Sequence, residues 1–111
     1  MPTSGLWHVT LTVGGEPHDV ADVEAALHRL SAERAFMLSG RYGATRAELR
    51  YWDEADDCGD ACAMALRLWG EHRRTAGLPP WSVCGLEVLS REDYLRRDGA
   101  VLAEPGSWQP F

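Results

Sequence analysis

The sequence contains no lysine, no isoleucine and no asparagine, and all eleven of its basic residues are arginine. Because these three residues have AT-rich codons, their joint absence predicts a GC-rich bacterial genome. The arginine-only composition is therefore attributed to codon usage, and it does not by itself indicate bidentate recognition of an anion.

Positive charge is scarce, since seventeen acidic residues give a net charge of −6. Nucleic-acid and anionic-membrane surfaces attract basic segments, so we expect neither as a partner. The apolar runs are far shorter than a membrane span, and residues 1–5 lack the basic segment of a secretory signal. These absences predict a cytoplasmic protein with one core.

Sequence motifs for metals and cofactors are also missing. Cys58 and Cys62 lie four residues apart without a Cys-x-x-Cys pair, and His72 lies too far along the predicted helix to share an ion with them. The acidic run at 53–57 lacks the spacing of a calcium loop and is typical of a helix N-terminus. Neither phosphate-loop pattern occurs after Gly14-Gly15. We therefore expect no metal site and no cofactor, with the cysteines in the core as small hydrophobes.

What the sequence does contain is one pattern, strand-helix-strand, used twice. Alternating and 3.6-residue apolar periods predict strands at 6–13, 35–42, 46–52 and 81–89, with helices at 20–32 and 57–76. In the fourth strand, alternation places Cys84, Leu86 and Val88 toward the core. A capping-box-like start at Ser90 predicts a short third helix that ends near Asp98.

This order of elements resembles the ferredoxin-like fold, an α+β sandwich with βαββαβ connectivity. The resemblance implies an antiparallel four-stranded sheet in the order 4-1-3-2, with two helices on one face. We expect this domain to span 1–99 and an extended tail to span 100–111, with Trp108 or Phe111 docked on the domain or on a second subunit. Residues 67–73 and 78–81 are similar to segments of small actinobacterial proteins, and that similarity carries over no functional residue.

Such a sheet leaves one face free of its two helices, and alternation predicts a mixed polar and apolar surface there. His8 beside Glu48 or Glu87 has the composition of a general base with an orienting carboxylate, and Arg50 could hold an anion. The other side chains assigned to a ligand or an interface on this face are Thr10, Thr12, Met37, Arg41 and Trp52.

Three functional hypotheses follow. The first is a ligand- or protein-binding module that forms a homodimer through the free sheet face, which is enriched in the Trp, Met and Arg typical of interfaces. The second is a cofactor-independent enzyme similar to the dimeric ferredoxin-like monooxygenases and lyases, with His8, Glu48, Arg50 and Glu87 as its catalytic residues. The third is a regulatory domain of the ACT type, which implies a small-molecule ligand at a subunit interface near Gly14-Gly15.

Overall fold

A computed structural model of the protein describes residues 5–34, 37–97 and 109–110. The described part is an α+β structure with three helices and a four-stranded antiparallel sheet, to which a two-residue strand is added at one edge. In chain order the elements are β1 (Gly5–Gly14), α1 (Val20–Glu33), β2 (Met37–Tyr42), β3 (Arg46–Ala55), α2 (Cys58–Ala76), β4 (Ser82–Ser90), α3 (Arg91–Arg97) and β5 (Gln109–Pro110).

The strands follow the order β4-β1-β3-β2, as predicted, and β5 extends this sheet beyond β2. Long central strands explain the order, because β1 pairs with β3 over ten consecutive residues, from Gly5 opposite Ala55 to Gly14 opposite Arg46. The third strand thus continues three residues beyond the predicted end at Trp52. On the far edge, Arg41 and Tyr42 pair with Pro110 and Gln109.

Both long helices begin directly after an aspartate that caps their first turn. Asp19 accepts a hydrogen bond from the backbone N–H of Ala21, and Asp57 accepts one from that of Asp60. Gly77 ends α2 in the left-handed region at φ 66°, where a glycine is favoured. Within the described residues, no helix is both long and apolar enough to cross a membrane.

One hydrophobic core lies between α1 and α2 and the sheet face that they cover. Sheet alternation gives this covered face Val9, Leu11 and Leu49, all fully buried. From the other side, α1 and α2 contribute the apolar positions of their helical period, namely Val23, Ala26, Leu27, Leu30, Ala65, Leu68 and Trp69. The apolar stripe predicted for α1 is confirmed at Val23, Leu27 and Leu30 and is wrong at Val20, which is 40% exposed. The stripe predicted for α2 is confirmed at Ala65, Leu68 and Trp69.

The fourth strand differs from the prediction because its pairing with β1 contains a β-bulge. Thr12 is opposite Gly85 and Val13 is opposite Val83, so Cys84 is the extra residue. The bulge shifts the alternation by one position, which turns Val83 to the core and leaves Cys84 exposed. The assignment of the cysteines to the core is wrong for Cys58 as well, which is exposed at the start of α2.

His72 also lies outside the core, where it helps to join the ends of the two long helices. Its Nδ1 lies 2.7 Å from Glu33 Oε1, and the hydroxyl of Thr75 donates to the same oxygen at 2.7 Å. These hydrogen bonds from Thr75 and His72 lower the pKa of the Glu33 carboxyl. The polar face of α2 therefore has a specific role in holding α1.

Candidate functional site

The sheet face opposite α1 and α2, here called the open face, bears His8, Thr10 and Thr12 on β1. Their cross-strand neighbours on β3 are Trp52, Arg50 and Glu48. This is the face that the alternation predicts to be free of helices, and the structure corrects that expectation in one respect. The third helix packs against β1 and β4 and covers part of it.

Hydrogen bonds in the first turn of α3 and at its last residue fold this helix back onto the sheet. Ser90 ends β4, and its hydroxyl accepts a hydrogen bond from the backbone N–H of Asp93, which starts the helix at once. At the other end, Arg97 donates to Glu87 at 2.9 Å. Because Glu87 belongs to β4, α3 runs back along the strand that precedes it.

Three aromatic rings, here called the ring cluster, fix α3 to the sheet. Tyr94 stacks on His8 with ring centroids 4.1 Å apart and an interplanar angle of 30°. Trp52 meets His8 edge-on at 5.1 Å and Tyr94 edge-on at 4.9 Å. Such edge-to-face and offset arrangements are the favoured geometries of aromatic pairs.

The ring cluster changes the chemistry available to His8. The residue is 5% exposed, and burial followed by the positive charge of Arg50 lowers the pKa of its imidazole, against a weaker opposing effect of Glu87. No hydrogen bond from a described side chain contributes to this pKa. Glu87 lies on the same face and is bonded to Arg97. The contacts thus show a ring that packs α3 against the sheet, and among the described residues no carboxylate is hydrogen-bonded to His8 to orient it as a base.

Beside the ring cluster, one carboxylate lies between two guanidinium groups. Glu48 Oε1 and Oε2 accept from Nη2 of Arg41 at 2.9 Å and 2.8 Å, and Oε1 also accepts from Arg50 Nε at 3.1 Å. The Glu48 side chain is 12% exposed, whereas that of Arg50 is 43% exposed. Two cations around one carboxylate give the group a net positive charge in an otherwise acidic protein.

The two guanidinium groups are not equally engaged. Arg41 makes a bidentate contact with Glu48, but Arg50 uses only its Nε in the hydrogen bonds formed with described residues. Register places Thr10 on β1 and Ser39 on β2 directly opposite Arg50. The two Nη groups of Arg50, with a hydroxyl side chain on each flanking strand, are therefore suited to bind a carboxylate or phosphate oxygen.

The structure thus brings together most of the predicted site residues on one face, including Thr12 next to Glu48. The side chain of Met37, and all of Trp108 and Phe111, lie outside the described residues. Among the described residues, no cluster of three or more His, Cys, Asp and Glu side chains could hold a metal ion. The residue that the sequence analysis missed is Tyr94, although an aromatic residue on a short polar helix was a usable signal for docking.

The ACT-type hypothesis placed a ligand near Gly14-Gly15, and that loop is closely packed. A Cβ atom on Gly15 would lie 2.7 Å from Cδ1 of Trp81, and the Gly15 N–H donates to Thr45 O at 2.9 Å. The loop backbone is therefore held against the residues that precede β3 and β4, and Gly15 has no room for a side chain on the Trp81 side.

Comparison with known proteins relates nearly the whole chain to one family model. Neither the curated proteins nor the solved structures include a match. The matching model is described as a domain of unknown function (DUF8830) and aligns with residues 6–105, which include both faces of the sheet and all three helices. The chain belongs to this DUF8830 family.

Proposed function

We propose that this chain is a ferredoxin-like binding module that forms a homodimer through its open face. The observation that carries the proposal is the state of Arg50. This side chain is held in place through Nε by Glu48, is 43% exposed, and makes no second hydrogen bond to a described residue. Arg is enriched at interfaces because its planar donors bind carboxylates in a fixed geometry.

Apolar side chains at the other end of the open face support a protein partner. Leu6, two residues from His8 on the same side of β1, is 46% exposed, and Leu95 on α3 is 57% exposed. On β3, register places Trp52 between Arg50 and the residue opposite Leu6. Exposed leucines beside a partly buried Trp and a cationic group have the composition of an interface core with a polar rim.

A second copy fits this surface because α3 covers only one half of it. In the described part of the chain, the backbone of α3 lies close to β4 and β1 and not to β3 or β2, and only the Tyr94 ring reaches Trp52 of β3. A two-fold axis parallel to the strands would place α3 of one copy over the β3–β2 half of the other.

The test is sedimentation equilibrium of the full chain over a wide concentration range, with the charge of Arg50 reversed. We expect a dimer for the native sequence, and a dissociation constant raised about tenfold or more by Arg50→Glu.

Matched controls use the outer side of α2. Leu95→Glu is expected to weaken the dimer, whereas Leu66→Glu, at 53% exposure, is expected to leave it unchanged. Likewise Arg67→Glu, on the exposed surface of α2, controls for the charge change of Arg50→Glu. A monomer at all concentrations would overturn the proposal, as would equal weakening by the α2 variants.

A further inference from the structure

On the helix side of the sheet, away from the open face, the structure contains a depression of about 320 Å³. It lies between the stretch of α1 from Asp22 to Arg29 and the loop that joins α2 to β4. The polar side chains in its lining are His18, Asp22 and Arg29, and its apolar wall includes Leu78 and Pro79. A volume of this size is at the lower end of the range for small-molecule sites.

The loop wall of the depression is held rigidly by hydrogen bonds to its backbone. Leu78 N donates to Arg73 O at 2.9 Å, and Trp81 N donates to Pro79 O at 2.7 Å. The indole N–H of Trp69 donates to the same Pro79 oxygen at 3.0 Å, and the rings of Trp69 and Trp81 are parallel, with centroids 6.2 Å apart. The shape of the depression is therefore formed before any ligand arrives.

Arg29 provides a cationic donor at one end. Its Nε donates to Ala76 O at 2.6 Å, which fixes the guanidinium against the last turn of α2. A Cβ atom at Gly77 would lie only 3.0 Å from Arg29 Nη2, so the glycine leaves the space that the guanidinium occupies. Within the described part of the chain, no hydrogen bond engages the two Nη groups.

The other end of the depression presents acceptors. His18 Nδ1 lies 3.0 Å from Glu16 O, and because a carbonyl oxygen can only accept, Nδ1 carries a proton. In the tautomer with its single proton on Nδ1, Nε2 is an acceptor. An edge-to-face contact with Trp81 holds the His18 ring in this orientation. Asp22 adds a carboxylate one turn into α1.

We infer that this depression binds a small zwitterion, with a carboxylate at Arg29 and an amine at Asp22 and His18. Two acceptors at one end match the three N–H donors of an ammonium group, and the donors of Arg29 match a carboxylate. Asp22 and Arg29 are separated by about 10 Å along α1, so the two charged groups of the ligand are separated by several bonds. The chemical class is an ω-amino acid or another aminocarboxylate of that length.

The experiment is a chemical-shift titration of the full chain with three matched probes: γ-aminobutyrate, butyrate and butylamine. We expect γ-aminobutyrate to shift the amide signals of Ala25, Gly77 and Leu78 with a Kd of about 1 mM or tighter. The two singly charged probes are expected to bind about tenfold more weakly, because each leaves one end of the depression without its counter-charge.

Two variants assign the ends. Asp22→Asn is expected to weaken γ-aminobutyrate to the level of butyrate without changing the affinity for butyrate, and Arg29→Gln is expected to weaken both. Glu71→Gln, an exposed acid on α2 outside the depression, is the control and is expected to change neither. Equal affinities for the three probes, or no saturation by about 100 mM γ-aminobutyrate, would overturn the inference.

Discussion

The two faces of the sheet are built from the same strands and are stabilised in different ways. On the covered face, Leu11 and Leu49 lie opposite each other and are fully buried. One residue away, on the open face, Thr10 and Arg50 form the corresponding pair and are half-buried. Apolar burial dominates the first face, and rings and ion pairs dominate the second.

This difference shows where function can change without loss of the fold. Every strand residue of the hydrophobic core points to α1 and α2, so the core does not depend on the open face. On the open face, α3 is held by the ring cluster and by the pair between Arg97 and Glu87. We therefore expect substitutions on the open face to alter α3 and binding, and substitutions on the covered face to alter global stability.

The largest expected effect comes from Leu11→Ala on the covered face. It removes a fully buried side chain at the centre of the sheet, and such truncations leave cavities that lower the free energy of unfolding by about 2–5 kcal/mol. Urea denaturation followed by circular dichroism gives the value. The matched change on the open face, Thr10→Ala, is expected to stay within about 0.5 kcal/mol. Similar losses for the two would contradict the division of roles between the faces.

The next effect in size is expected from Tyr94→Ala, which removes the ring that α3 stacks on His8. The free energy of unfolding is expected to fall by about 1–2 kcal/mol, since an aromatic contact and part of its buried area are lost. Exposure of the imidazole to water is also expected to raise the pKa of His8 toward its ordinary value, because burial is the main cause that lowers it. An NMR titration of the ring protons measures this pKa.

The sign of the pH effect follows from the direction of that shift. A histidine whose pKa is lowered by folding stabilises the protein fully above the unfolded value, near 6.5, and loses that contribution as the pH falls through the folded value. The native chain is therefore expected to lose stability on acidification below about pH 6.5, and Tyr94→Ala to lose less over the same window. An unchanged His8 pKa in the variant would show that Tyr94 does not bury the ring.

Periodicity predicted the parts of the fold that depend on local pattern. The apolar alternation of β1 and the helical stripe through Leu27 and Leu68 identify the buried residues correctly. The bulge at Cys84 could not be predicted, because it depends on how β4 pairs with β1. One extra residue in a strand reverses the face of the sheet to which the side chains on its far side point. A sequence pattern contains no information about that partner.

The sequence predicted which residues share the candidate site better than it predicted which of them contact each other. Alternation places His8, Arg50 and Trp52 on one face correctly, because side-chain direction in a strand has a fixed period. Alternation does not show which side chains on that face contact each other. His8 was expected to contact a carboxylate, but it stacks on Tyr94, and Glu48 binds two arginines. Those choices depend on where α3 folds back, which is a tertiary property.

The smallest change in the free energy of unfolding is expected when the hydroxyl groups of two tyrosines at the border of the covered face are removed. Tyr51 is 1% exposed, and its hydroxyl has no hydrogen-bond partner among the described residues; burial raises its pKa to about 12. Tyr51→Phe removes an unsatisfied polar group, so it is expected to stabilise the protein by up to about 1 kcal/mol. Tyr42 is the matched control, because burial and then the interaction of its hydroxyl with Glu24 raise its pKa. Tyr42→Phe removes that interaction and is expected to destabilise by about 0.5–1.5 kcal/mol in the same urea measurement, so opposite signs are the result to look for. A loss of stability in Tyr51→Phe would mean that its hydroxyl is bonded in solution, and that the covered face is less strictly apolar than its packing indicates.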